Sequence, residues 1–283
     1  MTKQPNLKDL LMQAKSGGYA IGAFNIFDYI SSKAAIDAAN ETKTPILLQT
    51  SVGTVKKFTP RGLFDMLDLL RHDSNVPVLI HLDHCTDITL CKTCVDTGWD
   101  SVMVDMSEKP LEENIALCAE IKEYAGRKGV CVEGELGIIK GVEEEIVADS
   151  EKLANFEDSM KFLKGSGIDA FAPAIGTAHG LYKKEVNLNF DLVKQLADNT
   201  TVPVVVHGGT GLSDSQFARL ICNGASKINV STALKYAYID GFHNYWNDHQ
   251  NEYNPIKINN AAEESIKRIV VEHIMRFKPQ AKC

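Results

Sequence analysis

Eight short, almost uninterrupted apolar runs punctuate this chain, most of them ending on a polar residue and leading into an amphipathic stretch. The runs read as strands at Tyr19–Asn25, Pro45–Thr50, Val76–Asp83, Ser101–Asp105, Val130–Leu136, Asp169–Ile175, Val202–His207 and Lys227–Ser231. Helices are predicted at Tyr29–Glu41, Pro60–His72, Leu111–Ala125, Phe156–Leu163 and Phe190–Ala197, with two more, Thr232–Asp248 and Ala261–Met275, after the last strand. A strand with one wet face alternates apolar and polar residues. A run apolar throughout is covered on both faces by crossover helices. Eight such units in 283 residues predict an α/β fold, a (β/α)8 TIM barrel with extra C-terminal helices. A doubly wound open sheet is the structural alternative, but no G-x-G-x-x-G follows the first strand. No linker or low-complexity segment interrupts the pattern, so residues 1–283 are expected to form a single barrel domain. The stretch Gly137–Lys152 is long and polar for a βα loop and is expected to act as a mobile active-site loop.

Composition narrows the function. A net charge of −7 gives no general attraction to nucleic acid. The N-terminus lacks the apolar core of a signal peptide, and no stretch approaches the roughly 20 apolar residues of a membrane span. The expectation is a soluble cytoplasmic protein with neither nucleic-acid nor membrane partners. Seven cysteines with no framework spacing are expected to be reduced thiols. Cys91-Lys-Thr-Cys94 is a lone C-x-x-C. On the helix after the third strand its spacing merely puts both thiols on one face.

Barrel enzymes carry their chemistry at the C-terminal ends of the strands. Here those ends are Asn25, Ser51, Asp83 with His84, Asp105, Glu133 with Glu135, His179, His207 and Asn229. Three strands that each deliver a histidine suggest a metal site, since imidazole is the commonest zinc ligand and three ligands leave a position open. Strand alternation puts His81 and Asp83 on one side and Leu82 and His84 on the other, so periodicity does not choose between His81 and His84. The other histidines, His72, His243, His249 and His273, fall on predicted helices and are expected to be mostly solvated. His207-Gly208-Gly209-Thr210-Gly211 after strand seven and Asn229-Val230-Ser231-Thr232 after strand eight suit a phosphate, bound by backbone N–H groups and a helix N-terminus. The plainer alternative is a tight glycine turn with Ser231 or Thr232 serving only as an N-cap.

Taken together, these segments resemble the class II, metal-dependent ketose-bisphosphate aldolases, the family of fructose- and tagatose-bisphosphate aldolases. The resemblance spans essentially the whole chain. It rests on Gly22-Ala-Phe-Asn25, Gln49-Thr-Ser51, His81-Leu-Asp-His84, Asp105-Met-Ser107 with Glu112-Glu-Asn114, Val132-Glu-Gly-Glu-Leu-Gly137, Gly176-Thr-Ala-His-Gly180, His207-Gly-Gly-Thr-Gly211 and Lys227-Ile-Asn-Val-Ser-Thr232, in that order. It implies retro-aldol cleavage of a ketose 1,6-bisphosphate to dihydroxyacetone phosphate and glyceraldehyde 3-phosphate, without a Schiff-base lysine. It implies zinc (Zn2+) on His84, His179 and His207, with Asp105 and Glu135 matching an alternative or second metal position. Asp83 matches the acid/base beside the metal, and Glu143 an acid that moves the proton on the ketone half. Asn25, Ser51, Gly180, Gly208, Gly209, Thr210, Asn229, Val230, Ser231 and Thr232 match the site for the ketone half and its phosphate. A monovalent cation (Na+ or K+) near that phosphate and a homodimer or homotetramer are also implied.

The chain departs from the family pattern at Lys140, where a second glycine is usual, at Thr210 for serine, at Ala233 for an acid, and at His243 for a permanent cation toward a neighbour's distal phosphate. A ketose 1-phosphate with another distal group is therefore an alternative substrate. A metal-dependent barrel hydrolase is the alternative enzyme class, but it usually begins with H-x-H after strand one, where this chain has Phe24-Asn25-Ile26. A noncatalytic companion subunit would have lost Asp83 or a histidine ligand, and this chain keeps all of them.

Overall fold

The computed structural model describes residues 4–143, 146–148, 152–180 and 186–278, with the side chains of 142, 143 and 146–148 outside that description. Eight parallel strands close a barrel: β1 (Ile21–Asn25), β2 (Ile46–Thr50), β3 (Val78–Cys85), β4 (Ser101–Val104), β5 (Cys131–Leu136), β6 (Ala170–Pro173), β7 (Val204–Val206) and β8 (Ala225–Val230). Each pairs with its neighbour in the chain, and β8 closes on β1 in the register Ile21 to Lys227. The TIM barrel expected from the apolar runs is thus present. The strands are shorter than their apolar runs because prolines at their entries, such as Pro45, Pro77 and Pro203, cannot donate to the ladder.

The helices are α1 (Leu7–Gly17), α2 (Tyr29–Thr42), α3 (Val52–Phe58), α4 (Pro60–Arg71), α5 (Ile88–Thr97), α6 (Leu111–Gly126), α7 (Phe156–Ser166), α8 (Phe190–Asn199), α9 (Asp214–Cys222), α10 (Thr232–Asp248) and α11 (Pro255–Phe277). The apolar outer faces of the strands and the inner faces of these helices form the main core. A second, smaller core lies inside the barrel. Ile21, Ala23, Leu47, Leu79, Cys131, Ala170, Ala172 and Val205 point inward and pack with Leu7, Leu10, Leu11 and Ala14 of α1. Helix α1 therefore plugs the N-terminal end, which leaves the C-terminal end for chemistry. It was not among the expected helices, although Asn6 caps it through Asp9 N and its leucines keep helical spacing. Helix α11 packs on α10 and α2.

The polar stretch after β5 departs from expectation. Lys140–Glu143 and Ile146–Ala148 form an antiparallel pair, and Lys140 and Gly141 pair in parallel with Ala178 and His179. At Gly141, φ is 126°, and a Cβ would come within 2.3 Å of the His179 carbonyl oxygen. Only glycine lets this strand lie against the segment that carries His179.

His273 corrects another expectation. It is buried, edge-on to Phe217 and Phe277, with its Nδ1 bonded to the Ile269 carbonyl. His72 and His249 cap helix ends and, like His243, are exposed. Cys91 and Cys94 lie buried on α5 as free thiols, as do Cys85, Cys118 and Cys131 elsewhere, whereas Cys222 departs from the reduced expectation by being disulfide-bonded. Among the described residues, no helix is long and apolar enough to cross a membrane.

Candidate metal centre at the barrel mouth

Strand β3 resolves the choice between its two histidines with a bulge. His81 pairs with Ser101, Leu82 with Val102 and Cys85 with Val104, so Asp83 and His84 together oppose Met103. The extra residue takes His84 to φ 42°. A bulge breaks strict alternation and re-aims a side chain. Asp83 and His84 consequently both serve the barrel mouth, while His81 stays below, its Nδ1 2.7 Å from Ser101 Oγ.

His84, His179 and His207 each offer a ring nitrogen, all within 4.8 Å of one another. Their rings stand nearly perpendicular, with centroids 5.0 Å apart for His84 and His179 and 4.6 Å for His84 and His207. His84 Nε2 and His207 Nδ1 face each other at 2.8 Å. A second group, His84, Asp105 and Glu135, is set equally close, with ligand atoms within 4.8 Å of one another. Asp105 Oδ2 lies 2.7 Å from His84 Nδ1, and its Oδ1 accepts from Ser107. Glu135 Oε2 is buried with no hydrogen-bond partner, 3.9 Å from His84 Nδ1 and 3.7 Å from His207 Nδ1. A buried acceptor without a donor, beside converging imidazoles, suits a cation.

The electrostatics agree. Burial would lower the His84 pKa, yet the carboxylates of Asp83, Asp105 and Glu135 raise it well above the usual imidazole range. Burial would raise Asp105, yet the hydrogen bond and charge of His84 bring it down to about 2. Glu135 is pushed well above the usual carboxylate range by burial and then by Asp105. Such a concentration of displaced titrations in one buried cluster is typical of a functional site.

Asp83 is buried and accepts from Asn25 Nδ2 at 3.0 Å; Gln49 Nε2 donates to Asn25 Oδ1 at 2.9 Å. Across the mouth, both amide atoms of Asn229 and the Ser231 hydroxyl are buried without partners. Ser231 precedes α10 but makes no cap hydrogen bond; Thr210 Oγ1 instead accepts from Ala233 N at 3.2 Å. The plain N-cap reading of Ser231 therefore fails. Gly208 has φ 70°, and a Cβ there would sit 2.5 Å from the Ala178 carbonyl oxygen. Gly209 N donates to Asn229 O, which brings the two loops together next to Val230 and Thr232. Ser51 caps α3 through Thr54 N, and Gly180 follows His179 at φ 93°. Glu143 ends the strand beside His179, but its side chain lies outside the described residues.

The sequence of this chain matches the family model described as "Fructose-bisphosphate aldolase class-II" over residues 5–282. The chain belongs to the class II fructose-bisphosphate aldolase family. Members of this family are carbon–carbon lyases of carbohydrate metabolism that act on phosphorylated sugars. The chain is 37% identical over 275 residues to the fructose-bisphosphate aldolase of Staphylococcus aureus, covering 96% of each chain. It is 37% identical over 281 residues to that of Geobacillus stearothermophilus, covering 98% of each. The crystal structure of the YdjI aldolase from Escherichia coli K12 superposes with a TM-score of 0.85 at 28% identity, covering 98% of both. Membership removes the barrel hydrolase as an alternative.

Four polar residues in the site region were given no role from sequence, apart from His81, which was weighed only as a possible ligand. Gln49, His81 and Lys227 are wholly buried inside the barrel, and the Thr177 hydroxyl is buried without a partner. The available signal was a lysine in the middle of a strand otherwise free of charge, Ala225–Val230. A charge there demands a buried counter-ion.

Proposed function

We propose that this aldolase is zinc-dependent and reversibly cleaves a ketose 1,6-bisphosphate, of the fructose or tagatose type, to dihydroxyacetone phosphate and glyceraldehyde 3-phosphate. The observation that carries this reading is the convergence of three imidazoles beside Asp83, opposite the unpartnered polar atoms of Asn229 and Ser231. The donor set fits zinc: three neutral nitrogens with carboxylates at hand. His84, His179 and His207 would hold the ion, and Asp105 and Glu135 a second or alternative position. When bound, zinc supplies Lewis-acid polarisation of the ketone oxygen.

The remaining work falls to the chain's own groups. Asp83, oriented by Asn25, takes the proton from the C4 hydroxyl as the C3–C4 bond breaks. Glu143 returns a proton to C3 of the ketone half. Ser51, Gly180, the loop Gly208, Gly209 and Thr210, and the segment Asn229 to Thr232 hold that half and its phosphate through N–H and hydroxyl donors. A monovalent cation, Na+ or K+, would sit near this phosphate on backbone carbonyls. The outer face of α10 exposes Tyr236, Ile239 and Trp246, an apolar stripe that supports a homodimer or homotetramer.

A second reading, a ketose 1-phosphate with a different distal group, is favoured by His243. It is exposed and bonded to Asn247 of its own helix, where the family resemblance leads one to expect a permanent cation. The experiment is a cleavage assay over fructose and tagatose 1,6-bisphosphates and their 1-phosphates. Cleavage of a bisphosphate supports the first reading, and cleavage of 1-phosphates alone supports the second. Failure to cleave any of the four removes both.

A further inference from the structure

Beneath the imidazole cluster the barrel interior holds a buried polar layer that the reaction does not consume. Lys227 of β8 and Glu133 of β5 are both fully buried, and Lys227 Nζ lies 2.8 Å from Glu133 Oε2. The other carboxylate oxygen, Glu133 Oε1, lies 2.9 Å from His207 Nε2. Lys227 Nζ also lies 3.5 Å from His81 Nε2, whose ring bonds Ser101 through Nδ1.

We propose that Lys227 is a positioning residue for the metal centre: it anchors the Glu133 carboxylate that fixes the tautomer and aim of His207. This rests on the metal reading of the three histidines. A carboxylate only accepts, so the His207 nitrogen facing Glu133 carries the hydrogen. The lone pair is then left on Nδ1, the nitrogen that faces His84 Nε2. A ligating imidazole is usually set this way, by what its other nitrogen bonds. Lys227 completes the arrangement because an ionised carboxylate with no exposure needs a buried cation. Its ammonium donates, so His81 Nε2 accepts and His81 Nδ1 is the donor to Ser101. The donors and acceptors of the layer are thereby assigned without conflict.

A purely structural role explains this poorly. An apolar pair would fill the same space at no desolvation cost, and a buried ion pair is weak evidence for stability. The small interior core just below is apolar and closed by α1. The charged pair is set apart from that core by its contact with a candidate ligand, His207. Lys227 is also unsuited to be an amine nucleophile, being fully enclosed and bonded to a carboxylate.

The test uses the full-length chain as wild type, Lys227→Met and the double variant Lys227→Met/Glu133→Gln. Ring-nitrogen NMR of metal-free wild type should show His207 as the Nε2–H tautomer. An Nδ1–H tautomer overturns the proposal whether or not any variant folds. Lys227→Met should weaken zinc binding about ten- to a hundredfold in competition with a chromophoric chelator, the usual effect of losing such an outer partner. It should also shift the visible bands of the cobalt-substituted protein. The double variant removes the unpaired buried charge and should fold, yet remain at least about tenfold weaker for zinc with a mixed His207 tautomer. Either variant, folded, with wild-type zinc affinity and tautomer contradicts the proposal. If wild type binds no zinc, the metal reading fails instead, and the tautomer measurement still judges the Lys227–Glu133 link.

Discussion

The side-chain amide of Asn25 donates to Asp83 Oδ2 at 3.0 Å, reaching from β1 past β2 to β3. Gln49 of β2, donating to Asn25 Oδ1, fixes which end of that amide faces the carboxylate. Asp83 is thus held as an acceptor at the edge of the imidazole cluster. Asp83→Ala should lose on the order of 10²–10⁴-fold in turnover, the scale of a lost general acid/base, with zinc content unchanged. Asn25→Leu should cost less, about tenfold, because the proton carrier remains and only its aim is lost. Steady-state kinetics with metal analysis decides. Near-normal turnover in Asp83→Ala would assign the proton to another group, Glu143 first.

Ser231 and Ser51 should differ in what the same change does to stability. Ser51 caps α3, whereas the buried Ser231 hydroxyl has no partner. Ser51→Ala should lower unfolding stability by about 1 kcal/mol, a lost cap. Ser231→Ala should leave stability unchanged and reduce kcat/KM about ten- to a hundredfold, the cost of one hydrogen bond to a charged phosphate. Chemical denaturation and kinetics on both variants test this. A destabilised Ser231→Ala with unchanged kcat/KM would mean that the hydroxyl is structural.

Metal affinity should rise with pH. Asp83, Asp105 and Glu135 raise the His84 pKa well above the usual imidazole range, so metal-free His84 keeps its proton to higher pH than an ordinary histidine. A zinc ligand must be neutral, so binding expels that proton. The sign follows: zinc affinity increases as pH rises toward the raised pKa and falls in acid. In the metal-free protein, His84 stabilises the fold below its unfolded pKa, and that contribution disappears as pH climbs through the folded one. Calorimetry in buffers of different ionisation enthalpy should register proton release at pH 7. Affinity independent of pH from 6 to 8 would contradict it.

The distal half of the substrate pocket offers the test of specificity. An imidazole, as at His243, lacks the bidentate fork with which a guanidinium grips phosphate. His243→Arg should raise kcat/KM for a 1,6-bisphosphate roughly ten- to a hundredfold while leaving that for the 1-phosphate unchanged. An existing preference of more than about a thousandfold for the bisphosphate, indifferent to the change, would place that phosphate on another residue.

The barrel was legible because burial on both faces writes itself as apolar runs, and Val202–Val206 or Val76–Ile80 could hardly be anything but interior strand. The candidate metal ligands were legible as residue types at strand ends, but strand periodicity did not choose His84 over His81, and only the family resemblance did. The choice depends on a bulge between Leu82 and Cys85, and a two-residue period has no way to express an inserted residue. The paired strands Lys140–Glu143 and Ile146–Ala148 looked like loop because the surrounding stretch is rich in charge, yet Gly141 permits a backbone pairing that side-chain polarity cannot reveal. His273 read as solvated because a helical pattern gives a face but not what covers it, and the covering ring of Phe217 comes from another helix, α9.

Chelation and reloading test the central claim most directly. The protein is stripped with a strong chelator, assayed for cleavage of a ketose 1,6-bisphosphate, titrated with zinc, and treated with borohydride in the presence of substrate. Activity should vanish on stripping and return to its full value at about one zinc per chain, with no lysine adduct trapped. Full activity in the stripped protein, or a borohydride-trapped lysine, would contradict the account.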